Sequence, residues 1–236
     1  MQPYFFPYWG HFSLIAHTKQ WIMFDECQYK PKSWLNRNRI LHPTKDWQYI
    51  TVALSNSSRN IRIKDACVFD PIDSRDHILG KLAFYRKKAP FYSEAVSLVE
   101  QAFSLIDENY SLTSLCKGSL TVVAKYLNIK HQPVLSSSLE LTYPSNISAG
   151  QWAPFICNSI NASGYLNPSS GFNLFDVNDF AKLNIEFWTL SPQEFVYEQS
   201  TRTFSSNLSI LDSIMWVDPI SIKDALINNV NLRRHA

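Results

Sequence analysis

Glycine and long apolar runs are scarce in this chain of 236 residues, which has six glycines and twelve prolines. Fibrous and low-complexity proteins need far more of both residues, so these classes are excluded. The sequence has no stretch of 18 apolar residues, and its first residues lack the basic and apolar regions of a signal peptide. We therefore expect no membrane span and no secretion, and we predict a cytoplasmic location.

Cysteine is scarce as well, and its four copies stand at least 40 residues apart. No CxxC pair is available for a compact zinc site or a redox dithiol, and the histidines are scattered, so no metal is predicted. The 22 basic and 20 acidic side chains leave a formal net charge of +2. Without a basic stripe, an RNP-like motif or zinc-finger spacing, we expect no nucleic-acid partner.

Aromatic residues, in contrast, are abundant at 14%, with seven tryptophans. Two explanations remain open at this point. The rings either fill an aromatic core or line a cleft that binds a flat or ring-shaped ligand.

The order of hydrophobic patterns predicts the fold class α/β, with one domain over residues 1–236 and helices packed on a mixed sheet. Three consecutive helical patterns form a helical middle segment at residues 74–129, where Ser74 is the predicted N-cap. Predicted helices cover 11–19, 74–88, 92–106, 111–127 and 150–161, and predicted strands cover 21–24, 39–41, 47–54, 59–64, 164–166 and 185–188.

Two polar clusters have the composition of a binding site. Asp25 and Glu26 follow the predicted strand 21–24, and the carboxyl ends of parallel strands are where open α/β sheets bind ligands. An extended backbone points Arg37 and Arg39 to the same face, close in sequence to Trp34. Two guanidinium groups on one face suit a phosphate or a carboxylate.

Weaker signals come from three other motifs. Gly10 and His11 match the second half of the HxGH signature of nucleotidyltransferases, in which a helix N-terminus and histidines stabilise phosphate charge. The serines at 136–138 and the loop 167–171 can each surround an oxyanion or a sugar hydroxyl, although ordinary turn chemistry explains them equally well. No GxSxG elbow is present, so no serine is predicted as a nucleophile.

Long segments resemble the WbqC-like family. The chain opens with MQPYFFPYWGHFSLI and continues into FDECQYKPKSWLNRNRIL, which is similar to the family's QPYFFPY opening, its acidic pair followed by Gln, and its basic loop with W-x-NRNRI. Looser matches continue in collinear order through 85–90, 136–138, 164–166, 197–199 and 208–212. Members usually begin with an apolar strand before QP and often carry an aromatic residue where His11 stands here. We therefore expect that the native chain starts upstream of Met1.

The resemblance implies a role in bacterial surface-polysaccharide (O-antigen) biosynthesis. The implied reaction transfers glycine or a similar amino-acyl or acyl group to the amine of an amino sugar, so the expected partners are an activated amino acid and a nucleotide-linked amino sugar. Such a reaction needs a base, an oxyanion clamp and an aromatic surface for the sugar. No serine or cysteine lies in an activated context, which favours direct attack by the amine.

On this hypothesis the polar clusters and the QPYFFPY segment converge on one pocket. The predicted catalytic residues are His11, Asp25 and Glu26. The predicted substrate-binding residues are Gln2, Tyr4, Tyr8, Gln28, Trp34, Asn36, Arg37, Asn38, Arg39, Ser137, Tyr165, Ser170 and Gly171. Two alternatives stay open: a nucleotidyltransferase-like enzyme that uses Gly10 and His11, and a non-catalytic protein that binds nucleotide-sugars or glycans. The sequence predicts no particular cofactor and no particular oligomeric state.

Overall fold

A computed structural model describes residues 1–131, 133–200 and 203–235. The predicted domain 1–236 also includes Gln132, Thr201, Arg202 and Ala236, which lie outside the described residues. The helices are α1 (Trp9–Ala16), α2 (Pro71–Leu82), α3 (Tyr92–Ser104), α4 (Leu112–Tyr126), α5 (Trp152–Ser159), α6 (Val177–Ala181), α7 (Ile210–Trp216) and α8 (Pro219–Asn228). The strands are β1 (Trp21–Met23), β2 (Arg37–Leu41), β3 (Trp47–Thr51), β4 (Pro133–Leu135), β5 (Gly164–Pro168), β6 (Glu186–Pro192) and β7 (Val230–His235).

Within these residues the strands form three small sheets rather than one. β1 pairs with β4 in parallel, and β2 pairs with β3 in an antiparallel hairpin that runs from Arg37 opposite Thr51 to Leu41 opposite Trp47. The third sheet is mixed, because β6 pairs in parallel with β5 and antiparallel with β7. The mixed α/β class and the predicted hairpin are therefore confirmed.

The helical middle segment is confirmed, but its first helix begins earlier than predicted. Asp70, not Ser74, is the N-cap of α2: its carboxylate accepts a hydrogen bond of 2.9 Å from the Asp73 N–H, and Pro71 stands at the first helical position. Both residue types are favoured there, whereas the Ser74 side chain is buried inside the helix. The helix also ends at Leu82, and a 3-10 turn, Ala83–Tyr85, follows it.

The predicted strand at 59–64 is wrong. One antiparallel β-bridge forms here, between Arg62 and Gln28, with the Ile63 N–H donating to the Cys27 carbonyl at 2.9 Å, but the pairing ends there because the Lys64 N–H donates to the Asp25 carbonyl. Ile63–Asp65 consequently forms a 3-10 turn across the loop that leaves β1. Apolar and basic residues alternate here because the segment covers that loop, with Ile63 buried below it.

The main core lies between the helical segment, the hairpin and the N-terminal segment. α3 packs on α4 so closely that a Cβ added at Gly118 would lie 2.9 Å from the Ala102 carbonyl oxygen. Phe5 and Phe6 are fully buried in this core, so the N-terminal segment is a structural part of it. A second, smaller apolar cluster surrounds Phe187 on β6. No helix of the described part of the chain is long and apolar enough to span a membrane.

Candidate ligand-binding site

A cleft of about 230 Å³ opens between the N-terminal segment, the residues that follow β6, and α7. We refer to it as the cleft. Its walls combine aromatic rings with a few polar groups, which is typical of small-molecule sites. The described residues that line it are Tyr8, Trp9, Pro192, Gln193, Glu194, Phe195, Tyr197, Phe204, Ser206, Asn207, Leu208 and Ser213.

One wall of the cleft is held by a fully buried carboxylate, Asp212 on α7. It accepts hydrogen bonds from the hydroxyl of Tyr85 at 2.6 Å, the hydroxyl of Tyr197 at 2.7 Å and the side-chain amide of Gln199 at 2.7 Å. Ser213, which lines the cleft, donates to the Tyr197 oxygen at 3.2 Å. We call these five residues the Asp212 network. It attaches the segment after β6 to α7 and to the helical core.

Burial sets the protonation of this network. It raises the pKa of Asp212, while hydrogen bonds from Tyr85, Tyr197 and Gln199 oppose that rise. Burial, followed by the charge of Asp212, also raises the pKa of Tyr85 and of Tyr197 well above the ordinary value. Both phenols therefore remain protonated at neutral pH and keep donating to the carboxylate.

The start of α7 is attached to the N-terminal segment and to the hairpin. The Ser209 hydroxyl donates to the Phe6 carbonyl at 2.7 Å, and the Ser209 N–H donates to the Arg39 carbonyl at 2.8 Å. The Ile210 N–H donates to the Pro7 carbonyl at 2.9 Å. These bonds hold α7, which contributes Ser213 to the cleft, against β2, which carries the predicted arginines.

Arg37 and Arg39 point to the same face of β2, as predicted, and each guanidinium lies on aromatic rings. The Arg37 Cζ is 4.1 Å from the ring centroid of Tyr49, and the Arg39 Cζ is 5.4 Å from Trp34 and 5.2 Å from Trp47. We call these five residues the arginine platform. In the described part of the chain, no ion pair involves either arginine.

The arginine platform adjoins the cleft. Arg39 donates through Nη2 to the carbonyl oxygen of Asn207, a lining residue of the cleft, at 3.0 Å. Arg37 donates to the carbonyl of Lys32. Both contacts hold a guanidinium in place through a neutral acceptor, so its positive charge is not cancelled. Trp34 and Trp47 are each 37% exposed, which leaves ring surface available beside the charges.

The two asparagines of the same motif have structural contacts. Asn38 is buried, and its side-chain amide donates to the carbonyls of Phe5 at 3.0 Å and Phe6 at 2.9 Å. Asn36 donates to the Val52 carbonyl at 2.8 Å. Asn38 thus holds the N-terminal segment on the hairpin, on the face of β2 opposite the arginines.

Asp25 is fully buried at the end of β1, and donors surround its carboxylate. The hydroxyl of Ser136 at 2.8 Å and the N–H of Ser137 at 3.0 Å donate to Oδ1, while the Ser137 hydroxyl donates to Oδ2 at 2.6 Å. These hydrogen bonds attach the 3-10 turn Ser136–Leu139 to the end of β1, so Asp25 stabilises this turn. Its role as a base stays a prediction.

Glu26 lies beside Asp25 and forms two ion pairs. Arg62 is 3.0 Å from Oε2 and Lys64 is 3.1 Å from Oε1, and only 10% of the Glu26 side chain is exposed. Two cations therefore occupy both carboxylate oxygens.

His11 is 1% exposed inside α1, where its ring lies 5.5 Å from Tyr4 and 5.0 Å from Trp21. Burial lowers the pKa of His11 to about 3, so the imidazole is neutral at physiological pH. Gly10 leaves room for the ring of Tyr8, because a Cβ there would lie 2.5 Å from it. Neither residue presents positive charge to a phosphate.

The remaining predicted residues lie in other contacts. Tyr165 packs against Phe180 and Phe187, with ring centroids 5.2 and 5.6 Å away, and its hydroxyl donates to Asn167 at 3.0 Å. This ring belongs to the small apolar cluster. Ser170 and Gly171 lie in the 3-10 turn Ser169–Leu174, Gln28 donates to the Arg59 carbonyl, and Gln2 donates to the Cys27 sulfur at 3.2 Å.

The contacts above attach Asp25 to Ser136 and Ser137, the two arginines to rings of the hairpin region, and Tyr165 to the small apolar cluster, and the convergence of all the predicted residues on one pocket stays a prediction. Tyr8 and the arginine platform are the ones that adjoin the cleft. Glu194 and Asp212 were missed as site residues. A lone aspartate within the apolar stretch LSILDSIMW is the signal that points to Asp212, because such a charge needs buried partners.

Comparison with known proteins places this chain in a family. The family model described as the WbqC-like protein family matches residues 2–224. An uncharacterized protein of Mycobacterium tuberculosis is 37% identical over 59 residues, which are 25% of this chain and 25% of that protein. The chain therefore matches about a quarter of the length of that curated relative. No solved structure gives a match. Because the family model covers nearly the whole sequence, the protein belongs to the WbqC-like family.

Proposed function

We propose that this protein is a transferase of bacterial surface-polysaccharide biosynthesis. It joins a glycyl or similar acyl group to the amine of a nucleotide-linked amino sugar. The family membership supports the biological setting, and the geometry beside the cleft supports the class of ligand.

The arginine platform is the observation that carries this proposal. Two guanidinium groups on one face, held by carbonyls and stacked on rings, form a surface for an anion that also carries a flat ring. A nucleotide diphosphate has both features. A guanidinium paired with a carboxylate would lose most of this attraction, and neither Arg37 nor Arg39 is so paired within the described residues.

The chemistry follows from the direct attack predicted from the sequence. The sugar amine attacks the acyl carbonyl, and the cationic donors stabilise the negative charge that develops on the oxygen. The nucleotidyltransferase alternative needs a charged, accessible histidine, and a buried His11 with a pKa of about 3 does not support it.

Ligand binding and turnover test the proposal separately. Isothermal titration against UDP- and dTDP-linked amino sugars is expected to show binding that weakens with salt, because phosphate contacts are electrostatic. Incubation with a bound sugar and glycyl or acyl thioesters is expected to give the N-acylated sugar, detected by mass spectrometry.

Arg39→Ala is the informative variant, and Arg75→Ala on the exposed face of α2 is its matched control. We expect Arg39→Ala to weaken nucleotide-sugar binding at least tenfold, since it removes a charge-assisted contact worth about 1.5–3 kcal/mol. Arg75→Ala should bind as the wild type does. Binding without any turnover would favour the non-catalytic alternative, and no binding of any nucleotide-sugar would refute the proposal.

A further inference from the structure

We propose that Glu194 is the residue that recognises and deprotonates the amine of the acceptor sugar. The inference rests on the proposed function and assigns it a base that the sequence analysis did not identify. It places the sugar ring in the cleft and the nucleotide on the arginine platform.

The position of Glu194 is the first argument. It follows β6 in the segment that forms one wall, between Gln193 and Phe195, which also line the cleft. Among the described lining residues it is the one carboxylate. Its side chain is exposed, and within the described part of the chain it has no ion pair and no hydrogen bond from a side chain. None of the described side chains therefore occupies either carboxylate oxygen.

The acidic residues Asp212, Asp25 and Glu26 are already occupied. Asp212 accepts three hydrogen bonds, and Asp25 accepts three more from Ser136 and Ser137. Both are fully buried, and Glu26 is paired with two cations. A base needs an oxygen that the substrate proton can reach. Glu194 meets this condition at the cleft.

The charges around the cleft form a pair of opposite sign. Glu194 carries the negative charge in the wall, and Arg39 carries a positive charge where it binds Asn207 at the edge. A nucleotide-linked amino sugar has the complementary arrangement, with an ammonium on the sugar and a diphosphate beside it. Such a layout selects by charge as well as by shape.

The volume of the cleft agrees with a sugar ring inside it and a nucleotide outside it. About 230 Å³ is less than the roughly 300–1,000 Å³ of sites that enclose a drug-sized ligand. The cleft therefore suits a single sugar ring, which can pack against Trp9 and Phe195, whose rings are 5.8 Å apart. The nucleotide stays outside, where Trp34 and Trp47 present exposed ring surface.

The reaction balances with an acyl thioester as the donor. The ammonium of the bound sugar first loses a proton to solvent, and Glu194 holds the neutral amine. The nitrogen lone pair forms the C–N bond to the thioester carbonyl, and the carboxylate of Glu194 accepts the second proton as this bond forms. The C–S bond then breaks, and the thiolate leaves with its electron pair and takes up that proton.

The test compares each UDP- or dTDP-linked amino sugar that binds with its counterpart in which a hydroxyl replaces the amine. Wild-type protein is expected to bind the amine at least fivefold more tightly. Glu194→Gln should bind both equally, with the affinity for the hydroxyl counterpart unchanged. Its turnover should fall about 10²- to 10⁴-fold.

Glu198→Gln is the matched control, since Glu198 is an exposed glutamate of the same segment that does not line the cleft. It should keep the amine preference and the wild-type turnover. If Glu194→Gln retains both, the inference is wrong while the proposed function stands. If the wild type binds no nucleotide-linked sugar, the proposed function and the inference fail together.

Discussion

Replacing His11 by Phe should remove a large part of the protein's sensitivity to acid. The wild-type imidazole is 1% exposed, its Nε2 atom has no hydrogen-bond partner among the described residues, and burial lowers its pKa from 6.5 to about 3. The folded protein therefore keeps His11 neutral between these values, whereas the unfolded chain binds a proton near pH 6.5. Protons then favour the unfolded chain, so the stability contributed by neutral His11 is complete above pH 6.5 and is lost as the pH falls toward 3.

The size of this effect follows from the shift. One pKa unit corresponds to about 1.4 kcal/mol, so two units of pH below 6.5 cost about 3 kcal/mol of unfolding free energy by pH 4.5. Phenylalanine does not titrate and can occupy the space between Tyr4 and Trp21. At pH 7.5 we expect the variant to lie within about 1.5 kcal/mol of the wild type, because the cost of the larger ring is offset by the loss of a buried nitrogen that has no partner among the described residues.

Urea unfolding followed by tryptophan fluorescence at pH 7.5, 6.0, 5.0 and 4.5 measures the difference. The wild-type free energy should fall more steeply with acid than that of His11→Phe, and the gap should reach about 3 kcal/mol at pH 4.5. His77→Gln, on the exposed side of α2, is the control and should follow the wild type. Parallel curves for His11→Phe and the wild type would refute the assignment of a buried neutral imidazole.

Three further substitutions test the supports of the site. Asp212→Asn should lower the free energy of unfolding by about 3 kcal/mol in urea titrations, because an amide cannot accept all three hydrogen bonds that this carboxylate accepts. An unchanged free energy of unfolding would contradict the Asp212 network. Asp25→Asn should destabilise by about 2 kcal/mol because it mismatches the donors at Ser136 and Ser137, whereas full stability with lost turnover would identify Asp25 as the base. Gly10→Ala should displace the Tyr8 ring from the cleft and weaken nucleotide-sugar binding in titration calorimetry. The free energy of unfolding should stay within about 1 kcal/mol of the wild type, because alanine has the higher helix propensity. An unchanged affinity would show that binding does not need Tyr8 in the cleft.

Local patterns predicted most of the elements of this fold. The hairpin was predicted from the strand-like stretches 39–41 and 47–54, and the extended backbone of β2 also places Arg37 and Arg39 on one face, as predicted. The early start of α2 was readable as well, because Asp70 followed by Pro71 is a stronger N-cap signal than Ser74. The alternation of apolar and basic residues at 59–64 led to a wrong strand prediction, because this segment packs over a loop and forms no strand.

The site was harder to predict because its contacts join distant parts of the chain. Asp25 is hydrogen-bonded to Ser136 and Ser137, which follow it in the sequence by 111 and 112 residues. Asp212 is hydrogen-bonded to Tyr85, which precedes it by 127 residues. Local sequence patterns do not predict hydrogen bonds between residues that are so far apart in the chain. A polar cluster at a strand end was therefore expected to face substrate at Asp25, where the fold supplies its own donors.

Two kinds of charged group in this protein differ in their hydrogen-bond partners: the buried carboxylates Asp25 and Asp212, and the charged groups beside the cleft. Asp25 and Asp212 are buried, and a buried carboxylate without donors would cost several kcal/mol, so each is surrounded by hydroxyl and amide groups and serves the fold. Glu194 is exposed, and Arg39 is half-buried with a carbonyl rather than a carboxylate as its partner. A salt bridge at Arg39 would add at most about 1 kcal/mol to stability and would cancel the charge that attracts an anion. The carbonyl of Asn207 instead orients the guanidinium and leaves its charge intact, which is the arrangement that a phosphate site beside the cleft requires.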